Sequence, residues 1–274
     1  MSTQVDLRRK GRVYGSASSD SADAFRDKVN VEPYGEIAFG PAGMGFGHRW
    51  LAALENFELL PALTTVAADS AKLVVALGTD TEVVARSVKG GCNLSTDATT
   101  IATNDAMLRG NAGTGFACLV NATTNVHFHC SVSLPSITTI VAVAGMRETV
   151  TAGLPTDEVG DGVFLMFDPT ESMTTGLTTA QHANWIIVQV IAGAELYTAT
   201  SVPVNVDEVY DFKIKWNAEL IPEVWINDVL AGATTDFSAQ TASQTLIVHV
   251  GIEATSTVQM AIDIGFIEVS RALD

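Results

Sequence analysis

The chain has 274 residues and a formal net charge of −16 at pH 7, with 47% hydrophobic and 17% charged residues. That acidic balance excludes a surface built to neutralise nucleic-acid phosphates, and no run of about 18 uninterrupted apolar residues is present to cross a bilayer as a helix. With so few charges, Thr, Ser and Asn must supply much of the polar surface, which suits strands and turns.

The charge is uneven. Residues 1–50 hold seven Lys/Arg against six Asp/Glu, leaving eight basic against 25 acidic residues for the rest, a balance of −17. The opening MSTQVDLRRKGRVYG lacks the apolar core of a signal peptide, so the expectation is a soluble protein made in the cytoplasm. Cys92, Cys118 and Cys130 are too few, and odd in number, for a disulfide framework and read as buried thiols.

Residues 1–48 read as an extended arm. Ser16 to Asp23 is small and polar, and Gly40 to Gly47 is rich in turn-formers, with Tyr14, Tyr34, Phe39 and Phe46 as isolated aromatic anchors. Such a segment cannot bury enough apolar surface to make its own core. GPAGMGFG lacks the Lys-Ser/Thr of a phosphate-binding loop. Arg49 to Leu60 has Trp50, Leu54 and Phe57 at spacings of four and three, which predicts a helix ended by Pro61, with an irregular extended segment plugging one end of a sandwich as the rival reading.

From residue 71 the expectation is strand after strand. Lys72–Leu77 and Glu82–Val88 read as a hairpin across Gly78-Thr79-Asp80, followed by segments near 90–96, 106–108, 115–120, 126–134, 138–144, 162–167, 184–191 and 196–201. Val209 to Gly232 is the clearest stretch. Tyr210, Phe212, Ile214 and Trp216 alternate with Asp211, Lys213 and Lys215, the period of a half-buried strand. Pro222 limits pairing where the next strand begins, and Asn227-Asp228 makes a tight turn. Strands near 246–253 and 258–269 finish the chain. No linker divides residues 49–274, so they read as one all-β, two-sheet antiparallel sandwich preceded by the arm.

Gly145-Met146-Arg147-Glu148 after a strand, Asp161 to Asp168, the meander with Trp216 and Trp225-Ile226-Asn227-Asp228, and the closing Ile262 to Val269 occur in an order that resembles the concanavalin A/laminin G-like jelly rolls. Gly90 to Thr96, leading to Asn104 to Leu108, is similar within that class to bacteriophage virion proteins that decorate or cement capsids. One departure is Asn227-Asp228, which stands where that class carries a turn glycine.

His127 and His129 with Cys92, Cys118 and Cys130 suggest zinc, but if residues 121–125 close a hairpin, the thiols and imidazoles lie on opposite faces. Asp157, Glu158 and Asp161 are calcium candidates of the kind found at the rims of such sandwiches, without EF-hand spacing. Sandwich glycosidases present paired carboxylates at i and i+2 or across a cleft, and no such pair marks the expected core strands. The chain therefore reads as non-enzymatic, with no cofactor.

The resemblance implies a virion structural protein on a capsid surface. Its partners would be the major capsid protein and copies of itself, for instance in a trimer, with no nucleic acid and no membrane. Arg8, Arg9, Lys10, Arg12, Tyr14, Tyr34, Phe39 and Phe46 would be the arm's anchors. The alternative is the glycan- or receptor-binding head of a fibre. Trp225, of opposite parity to Val224 and Ile226, would then face the ligand with Asn227 and Asp228.

Overall fold

The computed structural model describes residues 49–55, 73–77, 83–86, 91–96, 104–110, 116–121, 126–148, 160–171, 174, 176–232, 237–241 and 243–273. Among them are sixteen strands and one 3-10 turn, Gln181–Ala183. All strand pairs are antiparallel and fall into two sheets.

The first sheet runs β14 (Val229–Gly232), β13 (Pro222–Ile226), β12 (Val209–Trp216), β7 (Val126–Ser133), β16 (Ala261–Leu273), β4 (Cys92–Ser95), β3 (Val83–Arg86). The second runs β11 (Ala194–Pro203), β10 (Asn184–Ile191), β9 (Gly162–Phe167), β8 (Ile140–Arg147), β15 (Gln244–Ala254), β5 (Asn104–Gly110), β2 (Leu73–Leu77). β1 (Arg49–Glu55) pairs with the far half of β16, and β6 (Ala117–Val120) with the near half of β15. This is the expected two-sheet jelly-roll sandwich.

Alternation decides which residues enter the core. Tyr210, Phe212, Ile214 and Trp216 are fully buried, while Asp211, Lys213 and Lys215 between them are only half-buried. Trp185, on β10 of the opposite sheet, packs edge-on against Phe212 at 4.7 Å and Tyr210 at 5.4 Å between ring centroids. These rings tie the sheets together, with dispersion and quadrupole terms added to area burial. The Tyr210 hydroxyl accepts from Asn205 N at 2.7 Å and donates to Pro203 O at 2.9 Å, which pins the β11–β12 connection.

Asn227 and Asp228 carry φ values of 52° and 62°, so both central residues adopt the left-handed geometry that a tight hairpin needs without the glycine. At Gly91 (φ 80°) a Cβ would lie 2.0 Å from Ile264 O, so this position admits no side chain as β4 joins β16.

Three local expectations are corrected. Residues 49–55 form a strand rather than a helix: seven consecutive pairs, from Arg49↔Leu273 to Glu55↔Ile267, override the local spacing. β2 and β3 are not a hairpin, because β2 joins β5 in one sheet and β3 joins β4 in the other. β6 and β7 are likewise in different sheets, β6 with β15 and β7 with β16, so they do not form a hairpin.

Candidate functional site

Each sheet turns one face to the core and one outward, and the two outward faces differ. On the first sheet, cross-strand registers place Leu230, Trp225, Lys213, His129 and Glu268 in one row across five strands, β14 to β16. Trp225 is half-buried, and the Lys215 ammonium stands 5.6 Å from its ring centroid, a cation–π contact. Lys213 pairs with Asp228, and its hydrogen bond and then its charge hold the Asp228 carboxyl below the usual carboxylate range. His129 Nε2 pairs with Asp211, and its ring meets Phe266 edge-on at 4.6 Å. Asn227 Oδ1 accepts from Asp211 N at 2.8 Å, fixing the turn beside this row. The arrangement offers a half-buried aromatic ring with a cation over it, in a row that also carries paired charges able to hydrogen-bond.

The row becomes drier toward β16. Glu268 is 1% exposed and neither carboxyl oxygen has a hydrogen-bond partner. Burial pushes its pKa up to about 8, against a smaller opposing pull from Lys213. His127, in the next row, is pushed down to about 4 by burial and then by the Lys215 charge.

The outward face of the second sheet is apolar at its centre. Val141 and Val143 on β8, Phe164 and Met166 on β9, and Ile186, Val188 and Val190 on β10 form a second buried cluster with Met107, joined by Leu177 and Tyr197. β8, β9 and β10 are thus buried on both sides. Their apolar runs, IVAVAGM, GVFLMF and WIIVQVI, broken only by buried Gln189, are the sequence signal for this. No carboxylates stand at i and i+2 on the outward positions of these three strands.

Carboxylates do meet at the margin. Asp105 on β5 and Glu253 on β15 are direct cross-strand partners. Burial, then the charges of Asp105 and Asp168, push Glu253 up to about 7, and burial raises Asp105. They belong to strands far apart in the chain, and no motif announced them. His249, on the same face of β15, is fully buried with both ring nitrogens unpartnered, and burial followed by the Arg147 and Arg109 charges pushes its pKa well down.

The remaining predicted residues are placed as follows. Asp161 is buried, and its two oxygens accept from Ala192 N at 2.8 Å and Thr241 N at 2.6 Å, so it braces loops. Asp168 accepts from Thr170 Oγ1 and from Thr174 N and Oγ1, while His182 Nδ1 lies 2.8 Å from Asp168 O, so Asp168 is tied to Thr170, Thr174 and His182. Asp157 and Glu158 lie outside the described residues, as do the arm residues Arg8, Arg9, Lys10, Arg12, Tyr14, Tyr34, Phe39 and Phe46. Cys92, Cys118 and Cys130 all point into the core and form no disulfide, whereas His127 and His129 alternate with core-facing Val126, Phe128 and Cys130 and take the opposite face. The faces follow parity, although the hairpin invoked for them does not exist. Trp185 and Trp216 are core residues, which leaves Trp225 as the outward tryptophan among the described residues.

No family model matches the chain, and no curated protein does. Among solved structures, a protein of unknown function from Shewanella oneidensis MR-1 superposes with a TM-score of 0.57 at 13% identity, covering 95% of this chain and 96% of that one. The laminarinase catalytic domain from Thermotoga maritima MSB8 gives 0.53 at 12% identity, over 82% and 99%. A LamA variant from Z. galactanivorans, in complex with laminaritriose and laminaritetraose, gives 0.52 at 11% identity, over 80% and 97%. At these identities the likeness establishes the concanavalin A-like jelly roll, a fold shared with glycan-active enzymes, and nothing finer.

Proposed function

We propose that the chain is a non-catalytic structural protein of a virion, whose sandwich decorates or cements a phage capsid through the basic, aromatic-bearing residues 1–48. The observation that carries this reading is the division of the chain: an acidic body that forms a two-sheet sandwich, preceded by a turn-rich segment with four of its basic residues within Arg8 to Arg12. The apolar, buried outward positions of β8, β9 and β10 support the non-catalytic part, whereas Asp105 and Glu253, paired on the same outward face, are the groups that glycoside hydrolysis would have to use, so substituting them is the control for that reading. The test is quantitative. Intact particles should carry the full chain at a copy number comparable to that of the shell subunit. Replacing Arg8, Arg9, Lys10 and Arg12 together with Glu should remove it from them. Retention of the charge-reversed chain at the same copy number refutes the arm's role.

A second reading, a glycan-binding head, is favoured by one observation: Trp225 lies half-buried on an outward face beside its cross-strand partner Lys213, with the Lys215 ammonium over its ring. The LamA variant above holds glucan oligosaccharides on the same fold. On a glycan array, saturable binding that disappears in Trp225→Ala supports it, and binding unchanged by that substitution rejects it.

A further inference from the structure

β16 has β7 along one side and two different strands along the other. Residues 261–264 pair with β4, and residues 267–273 pair with β1. The two neighbours serve the polar side chains of β16 differently. On the β4 side, Asp263 is paired with Asn93, whose Nδ2 donates to Asp263 Oδ1 at 2.8 Å. On the β1 side, Glu268 is paired with Leu54 and Ser270 with Ala52, residues whose side chains can neither donate nor accept. Neither Glu268 oxygen nor Ser270 Oγ has a hydrogen-bond partner, although the two residues are 1% and 0% exposed. Buried polar groups left unpartnered weigh against the contact that buries them. β1 pairs with β16 alone among the described strands, and it is the strand through which residues 1–48 join the sandwich.

The Glu268 carboxyl is where pH enters this junction. So dry a group keeps its proton, and it ionises as an ordinary carboxyl once water reaches it along the flank that β1 vacates. Burial raises its pKa to about 8 from 4.5, against a smaller pull from Lys213. No neighbouring charge takes the place of a partner. On β7, His129 is paired with Asp211, and His127 is held neutral down to about pH 4 by burial and then by Lys215. On β12, Lys213 is paired with Asp228, and Lys215 lies over the Trp225 ring. On β1 the charged residues Arg49 and Glu55 are paired with Leu273 and Ile267, positions of the opposite parity to Glu268, as is Arg271 on β16 itself.

We propose that β1 is a pH-gated strap, docked on β16 while Glu268 is protonated and released as that carboxyl ionises. The released form ionises from the ordinary value of 4.5 and the docked form only near 8. Release therefore gains about tenfold per pH unit between these values and nothing further above them. The inference does not depend on the virion reading, since it involves only β1, β16 and this carboxyl.

Hydrogen exchange on the full chain tests it, with the amides of β1 and of central β7 read in the same sample at pH 5 and pH 7. At pH 7 the β1 amides should be less protected than those of β7, as in a strand that opens while the sandwich stays folded. They should also exchange about 300-fold faster than in Glu268→Gln at pH 7, and about fourfold faster at pH 5. Intrinsic exchange is common to both chains at each pH and cancels in the ratio. Equal protection of β1 and β7 overturns the proposal, because β1 then opens only with the whole fold. A parent-to-variant ratio that is the same at both pH values overturns it too, because the opened form then leaves Glu268 dry. If the Gln chain does not fold, the parent alone decides. Corrected for intrinsic rates, its β1 protection must fall about seventyfold from pH 5 to pH 7, and protection that does not fall rejects the strap.

Discussion

Replacing Glu268 with Gln should raise stability by an amount that depends on pH in a calculable way. The carboxyl is 1% exposed, has no hydrogen-bond partner on either oxygen, and holds its proton up to about pH 8 instead of 4.5. A folded-state pKa above the unfolded one means that the folded form binds the proton more tightly. The proton's contribution is therefore complete below pH 4.5 and is lost as pH rises through 8. At pH 7 the unfolded chain has released the proton and the folded chain has not, a difference of about 3 kcal/mol against folding, growing to about 5 kcal/mol well above pH 8. Gln keeps the shape and the uncharged state of the protonated acid at every pH. Glu268→Gln and the parent should therefore have nearly equal stability at pH 4. At pH 7 the variant should lead by about 3 kcal/mol, or roughly 6–12 °C in Tm for a domain of this size. Urea unfolding followed by the fluorescence of buried Trp185 and Trp216, at both pH values, reads the difference directly. Other titrating groups, including Glu253, His127 and His249, are common to both chains and cancel in the comparison. A gap that is the same at pH 4 and pH 7 would refute the reasoning, since it would mean that the Glu268 carboxyl titrates alike in the folded and unfolded chains.

Three other outcomes are expected. His249→Leu should stabilise the fold by about 1–2 kcal/mol in chemical denaturation at pH 7, because it removes two buried ring nitrogens that have no partner; a loss of stability would reveal a bond to the imidazole. Asn227→Ala should cost about 2 kcal/mol by the same measurement, from a left-handed backbone imposed on Ala and a lost bond to Asp211 N. Trp185→Ala should cost about 3–5 kcal/mol, as it opens a void where the sheets meet, whereas Trp225→Ala, half-exposed, should cost clearly less; equal costs would contradict the assignment of faces.

Faces were legible in the sequence and partners were not. The alternation in Val209–Trp216 predicted the buried and wet sides of β12, and parity alone turned Trp225 outward. β9 and β10 have the expected bounds, because turn-formers flank apolar runs. Nothing local, however, says that β2 pairs with β5 instead of β3, or that β6 and β7 part company across the sandwich. Antiparallel neighbours are chosen by long-range closure of the sheets, and residues 49–55 show how far that can overrule a helical spacing. The Asp105–Glu253 pair was hidden for the same reason: its members meet through a register between distant strands. The double burial of β8–β10 was legible in principle, as nearly continuous hydrophobicity where a strand with one wet face would alternate.

The order in which the strands are synthesised has a consequence for the growing chain. β15 is central to one sheet, between β8 and β5, and β16 to the other, between β7 and β4. Both lie within residues 244–273, so on the ribosome neither sheet can close until almost all of the described chain has emerged. Until then β7 and β8, apolar and bare along one edge, wait for partners made about a hundred residues later, the state in which β proteins associate wrongly. Folding should therefore be late and slow, dominated by non-local pairing. A chain stopped before residue 244 should yield aggregate where the complete one yields a sandwich.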